Sequence, residues 1–312
     1  MRVLIDKHIP FLAGILDDIA EVHYLDETEF TQQTVQDADA LMVRTRVKCD
    51  ANLLKNSKVK FIATATIGYD HIDTKFCEQN GITWFASAGC NSQGVCDYVQ
   101  EALEYLQESN HLPKKPTIGV VGYGNIGTKV AKMAEKKGFD VLLNDAPKQI
   151  GCSLEELAQK ADVITFHVPF TKSGTYATYH LADRAFFERC KASCVLINAS
   201  RGGVIDEENL LNKGLDCIVD CWENEPNINP RLLQHSLLAS YHIAGYTMAG
   251  KVTASRMCLE ALCSFFNLPQ PNVQWDYEGK GDSEKGWLYR VSQQLKNHPN
   301  DFELLRNNYI LR

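Results

Sequence analysis

The sequence predicts an α/β protein of two lobes, each built on a parallel sheet, with a cleft between them and a short C-terminal extension. Three observations carry this expectation. Short apolar runs recur with room for a helix between them. The recurrence starts afresh after Pro113-Lys114-Lys115-Pro116. Finally, 312 residues, 45% of them hydrophobic, suffice for more than one core.

The first series opens with Val3-Leu4-Ile5, passes through a stretch read as helical, and continues with Ala40–Val43 and Phe61–Thr64. Residues 92–107 carry apolar side chains at helical spacing, and the proline-flanked segment Pro113–Pro116 stops that helix. The second series runs Ile118–Val121, Val141–Leu143, Val163–Phe166, Val195–Ile197 and Cys217–Val219, a doubly wound pattern. Beyond Asn267, Pro269 and Pro271 and a Gly/Asp/Lys cluster up to Gly286 lose apolar periodicity, as a linker does, and a short amphipathic tail follows.

Charge and composition exclude several classes. With 39 acidic against 32 basic residues the chain carries a formal charge of −7, the wrong sign for a coat on phosphodiester backbone, so no nucleic-acid partner is expected. No apolar run is long enough to span a bilayer, and Asp6 interrupts the position of a secretory apolar core, so neither a membrane nor export is expected. Eleven scattered cysteines without a C-x-x-C pair suggest free thiols in a reducing cytoplasm and no metal.

Gly122-Tyr123-Gly124-Asn125-Ile126-Gly127 follows the run IGVV directly and opens a helical stretch. In that context Gly122 permits a tight turn, Gly124 lets backbone approach a pyrophosphate, and Gly127 allows close helix–strand packing, while Asn125 and Ile126 supply N–H groups at the helix start. Asp145 closes the next strand, where a carboxylate accepts hydrogen bonds from a ribose and repels a 2′-phosphate, which favours NAD over NADP. The lobe is therefore Rossmann-like.

Three later segments each deliver an ionisable group to a strand end: NASRGG with Arg201, DCWENEP with Glu225, and HIAGYT with His242. An arginine clamps a carboxylate, a histidine exchanges a proton near neutral pH, and a glutamate beside it favours the imidazolium. The set suits oxidation of a 2-hydroxy acid.

These segments, with HVP at His167–Pro169, resemble the NAD-dependent D-isomer-specific 2-hydroxyacid dehydrogenases, in order and nearly continuously from Met1 to about Phe266. The resemblance implies that Arg201 orients substrate, Glu225 partners the histidine, and His242 is the general acid/base. It places Val168, Ala199, Asp220 and Gly245 with the glycine turn and Asp145 around NAD, and Thr45, Thr66 and Tyr246 around the substrate. The runs ALMVRTRVK, KFIATATIGYDHID, SAGCNSQGVCDYV and HIAGYTMAGK point to a branch acting on a small phosphorylated 2-hydroxy acid, with Arg44, Arg46, Lys48 or Lys251 as candidates for the phosphate. The alternatives are another 2-hydroxy acid, such as 3-phosphoglycerate or glyoxylate, or a corepressor-like NAD-binding module. Val168 stands where a threonine is common, and the C-terminal part is shorter than the branch's usual dimerisation domain. The expected division is a discontinuous substrate-binding domain of residues 1–90 and 242–266, an NAD-binding domain of 91–241, and a segment 267–312 serving a homodimer.

Overall fold

The computed structural model describes residues 1–277 and 279–312. The chain divides into two compact units, Met1–Asn91 with Thr247–Gly279 and Ser92–Tyr246 with Lys280–Arg312.

In the first unit, β1 (Arg2–Asp6), β2 (Glu21–Leu25), β3 (Ala40–Val43), β4 (Phe61–Thr64) and β5 (Thr83–Ala86) form one parallel sheet in the order β2-β1-β3-β4-β5. Side chains alternate across a strand, so this flavodoxin-like sheet presents two apolar faces. Leu4, Leu41, Val43 and Ile62 pack against Val35, Leu53, Leu54 and Cys77 on one side. On the other, Val3, Ile5, Ala40, Met42, Phe61 and Ala63 meet Cys258, Leu259, Leu262 and Cys263 of the helix Met248–Phe266.

The segment after Ile5 is not helical. Residues 7–20 are turns and bends, with Gly14 at φ 80°, and β2 then pairs with β1 through Val3↔Val22 and Ile5↔Tyr24. Val22 and Tyr24 flank His23 with a period of two, a strand signal that the neighbouring leucines and isoleucines masked.

In the second unit, β6 (Thr117–Val121), β7 (Asp140–Asp145), β8 (Ile150–Gly151), β9 (Val163–Phe166), β10 (Val195–Asn198), β11 (Cys217–Val219) and β12 (Leu238–Ala239) lie in the order β12-β11-β10-β9-β6-β7-β8. The pairs are parallel except β7 with β8. Counted within the unit this is 7-6-5-4-1-2-3, the doubly wound order with one strand added. Strand order reverses between β6 and β9, and ligands of such sheets bind outside the carboxyl ends there.

The unit boundaries differ from those expected: Asn91 and residues 267–279 join the first unit. His242–Tyr246 belong to the second unit, because their backbone hydrogen-bonds to Asp220. Residues 280–312 also belong to it: Leu288, Val291 and Leu295 of the helix Trp287–Asn297 join its core, and the Ala239 N–H donates to Ser292 Oγ at 3.0 Å. Each of the eleven cysteines is unpaired. Among the described residues no helix is long and apolar enough to cross a membrane.

Candidate active site

The glycine turn joins β6 to the helix Asn125–Lys136. Gly122 has φ 92°, and a Cβ there would meet the His167 carbonyl oxygen at 2.5 Å and Val168 Cγ1 at 2.9 Å, so only glycine fits against the segment after β9. A Cβ on Gly127 would stand 1.9 Å from the Gly122 carbonyl oxygen. Around Gly124, by contrast, no described atom lies within 4 Å of such a Cβ. Gly124 is the N-cap and offers no side-chain cap, so Asn125, Ile126 and Gly127 begin a helix whose positive end faces open space. This is the cradle a pyrophosphate requires, and NAD fits it.

Asp145 ends β7 and is 9% exposed. Its Oδ2 accepts the Tyr123 N–H at 2.8 Å, which ties the carboxylate to the glycine turn, and Oδ1 accepts the Lys148 N–H at 3.2 Å. Lys148 Nζ lies 3.4 Å from the same carboxylate and donates to the Tyr123 carbonyl. The half-buried Val168 crowds Gly122, and the buried Ala199 follows β10.

At the far half of the same sheet Glu225 and His242 meet, while Arg201 follows β10. The helix-free turn after β11 carries Glu225, whose Oε1 accepts the Trp222 N–H at 2.9 Å. Trp222 is itself buried and donates its indole N–H to the Ser240 carbonyl at 2.8 Å, so Glu225 is held by the core. His242 Nδ1 lies 2.7 Å from Glu225 Oε2. An ionised carboxylate only accepts, so Nδ1 carries the proton and Nε2 is left with its lone pair. The His242 side chain is 28% exposed, enough for a small molecule to reach. Arg201 is exposed and donates through Nη1 to the Ser200 carbonyl at 2.7 Å.

Asp220, expected at the nicotinamide end of the cofactor, is 1% exposed. Its Oδ1 accepts from Ser240 Oγ at 2.7 Å and from the Ile243 N–H at 2.7 Å, and its Oδ2 accepts the Ala244 N–H at 3.0 Å. In this structure it holds the loop that carries His242 and Gly245. The ligating atoms of Cys221, Glu225 and His242 lie within 4.8 Å of one another, a grouping not legible in the sequence. Burial, reinforced by Asp220 and Glu225, pushes the Cys221 thiol well above its ordinary range and keeps it protonated.

Thr45 and Thr66 lie in the first unit, just beyond the carboxyl ends of β3 and β4. Thr66 Oγ1 donates to the Gly68 carbonyl at 2.9 Å and sits 2.7 Å from Thr64 Oγ1, which in turn lies 3.0 Å from His71 Nε2. Burial lowers the affinity of His71 for a proton, so the neutral ring donates into this hydroxyl chain. Tyr246, 37% exposed, lies in the second unit. Among the basic candidates, Arg44 pairs with the fully buried Asp6 at 2.9 Å and Arg46 with Glu27 at 2.9 Å. Lys48 is exposed, and burial, helped by Arg44, lowers the proton affinity of Lys251.

Several working residues left no signal in the sequence. Tyr98 is buried 2.9 Å from Ser240 Oγ, and Ser240 supports Asp220; the two are separated by 142 residues. His180 stands between Glu223 at 2.9 Å and Asp206 at 3.3 Å, tying together the segments after β10 and β11.

A doubly wound sheet with a glycine cradle and an Arg/Glu/His set at its strand ends defines a nucleotide-dependent dehydrogenase of hydroxy acids, and residues 97–244 match the model of the D-isomer specific 2-hydroxyacid dehydrogenase NAD-binding domain. The chain belongs to that family. Within it, the chain is 46% identical to an erythronate-4-phosphate dehydrogenase of Bacteroides fragilis, over 100% of this chain and 97% of the relative. The same identity and coverage relate it to an erythronate-4-phosphate dehydrogenase of Bacteroides thetaiotaomicron. An NAD+-bound 3-phosphoglycerate dehydrogenase of Entamoeba histolytica shares the fold, with a TM-score of 0.69 at 24% identity over 88% of this chain and 99% of the other.

Proposed function

We propose that this chain oxidises 4-phospho-D-erythronate at C2 to 2-oxo-3-hydroxy-4-phosphobutanoate with NAD, a step toward pyridoxal phosphate. The observation that carries the chemistry is the His242–Glu225 pair, which leaves Nε2 as the base. In this reading the C2 hydroxyl gives its proton to His242 Nε2, the O–H electron pair becomes the second bond of the new carbonyl, and the C2 hydride departs. NAD, when bound, accepts that hydride. Glu225 stabilises the imidazolium as it forms, and Arg201 clamps the substrate carboxylate. Thr45, Thr66 and Tyr246 contact the rest of the substrate, and Gly122, Gly124, Asn125, Ile126, Gly127, Asp145, Val168, Ala199, Asp220 and Gly245 hold the cofactor. Eleven unpaired thiols suit a cytoplasmic enzyme, and the family resemblance supports a homodimer.

Steady-state reduction of NAD with 4-phospho-D-erythronate, 3-phosphoglycerate and unphosphorylated 2-hydroxy acids tests the reading. The highest kcat/KM is expected for 4-phospho-D-erythronate. A clear preference for an unphosphorylated acid would overturn the substrate assignment, and tight NAD binding without turnover of any acid would overturn the enzyme.

A further inference from the structure

The loop carrying His242 is held in an unusual way. His242 has φ 60°, in the left-handed region that residues other than glycine avoid unless their surroundings impose it. From inside the unit, the Asp220 backbone carbonyl accepts the His242 N–H at 2.9 Å, and the Asp220 carboxylate accepts the next two N–H groups, of Ile243 and Ala244. A second set of contacts comes from the segment after residue 300. Tyr309 packs edge-on to Tyr241 with ring centroids 6.0 Å apart, and the Arg306 guanidinium sits 5.6 Å from the Tyr246 ring centroid. Arg312 Nη2 donates to the Ala244 carbonyl at 3.0 Å. The Arg312 guanidinium lies over Trp287, 3.7 Å from its ring centroid, and Trp287 is 4% exposed. The peptide groups around Ala244 are thus gripped from both sides: the N–H by a carboxylate, the carbonyl by a guanidinium.

We propose that Arg312 is a positioning residue, which with Asp220 clamps Ala244 and so keeps His242 in the backbone conformation that points Nδ1 at Glu225. Arg312 touches neither Glu225 nor the imidazole. It acts through the loop, and Trp287 fixes the position from which it donates. A guanidinium suits this position because its planar face stacks on indole while its edge still presents N–H groups to a carbonyl. Only the kinetic consequence of the clamp rests on the dehydrogenase reading above; the clamp itself does not.

The test uses the full chain as Arg312→Met, which keeps an apolar stem over Trp287 but has no donor, and Arg312→Lys, which keeps a charge and a donor. Two readouts are taken: hydrogen–deuterium exchange in the peptide spanning residues 241–247, and the kcat and KM of NAD reduction by 4-phospho-D-erythronate. The methionine variant should exchange faster in that peptide, with the glycine-turn peptides unchanged. Its kcat should fall about tenfold, while KM for NAD stays within about twofold, because a misplaced catalytic group costs turnover rather than cofactor binding. Lysine should restore most of both. Unchanged exchange in the methionine variant overturns the clamp, and faster exchange with normal kcat overturns its role in positioning His242. Equal losses in both variants also overturn the proposal, since stacking would then be the whole of the effect. If the methionine variant does not fold, the lysine variant decides: it should keep near-normal exchange and kcat, and a lost kcat with normal exchange overturns the proposal. If the wild type turns over no acid, the dehydrogenase reading fails, and exchange alone judges the clamp.

Discussion

Two histidines follow strands of the same sheet at their carboxyl ends, His167 after β9 and His242 after β12, and only one of the two has a carboxylate partner. His167 Nε2 lies 3.0 Å from Thr165 Oγ1, and its Nδ1 is buried without a partner among the described residues. Burial drives its pKa down to about 3. His242 sits 2.7 Å from a carboxylate that is itself anchored, and its other nitrogen remains available. A strand-end location brings both rings to the region where ligands bind; the anchored glutamate singles out one of them as the base of the proposed reaction.

The largest expected effect follows from that contrast. His242→Gln should lose at least about 10²-fold in kcat, the usual scale of a positioned general base, and NAD should still bind. His167→Gln, assayed alongside for NAD reduction, should lose far less. Comparable losses in the two variants would erase the distinction between the rings.

The second effect concerns stability. His167 has a folded pKa well below its unfolded value of 6.5, so the unfolded chain takes up a proton first as pH falls. The stabilisation is therefore present above about pH 6.5 and is lost below it, at roughly 1.4 kcal/mol per pH unit, or about 2 kcal/mol by pH 5. Denaturant titrations of wild type and His167→Gln between pH 5 and pH 7.5 should show a shallower acid loss in the variant. Parallel pH profiles would mean that His167 is not held neutral.

Asp145→Ala should follow in size. It removes an acceptor for the ribose and a repulsion toward a 2′-phosphate together, so the ratio of NADP to NAD affinity should rise by about tenfold, the scale of one lost charge-assisted hydrogen bond. Titration calorimetry with both dinucleotides reads the ratio, and an unchanged ratio would assign the ribose to another residue. The smallest effect is expected from Val168→Thr. Its Cγ1 crowds Gly122 without any polar contact, so the dissociation constant for NAD should stay within about twofold.

The sequence made the glycine turn and the trio legible because their chemistry is local: three glycines at fixed spacing, or an acid and a histidine at the ends of apolar runs. The apolar runs of β1, β3, β4, β6, β7, β9, β10 and β11 were legible for the same reason, since strands in sheets covered on both faces read as unbroken apolar segments. β2 was missed because its alternation is only two apolar residues long. The parts that fix the trio in place were not legible. The motif gives Asp220 a cofactor role, and only the fold shows that its carboxylate also holds the backbone of residues 243 and 244. The partners Tyr98 and Arg312 act across 142 and 68 residues, and nothing in a linear pattern reports such pairs.

The first unit is assembled from two segments far apart in the chain, Met1–Asn91 and Thr247–Gly279, and this has a consequence for its synthesis. Val3, Ile5, Ala40, Met42, Phe61 and Ala63 are covered by residues of the helix Met248–Phe266. A ribosome therefore completes the five strands long before it makes their cover, and at roughly 5–20 residues per second the nascent sheet waits on the order of ten seconds or more with one greasy face in water. During that interval the emerging chain should be a client for a chaperone that binds apolar surface. Ribosome-bound chains stalled near residue 240 should be captured by such a chaperone, whereas released full-length chains should not. Equal capture of the two would mean that the face is shielded by other means while translation proceeds.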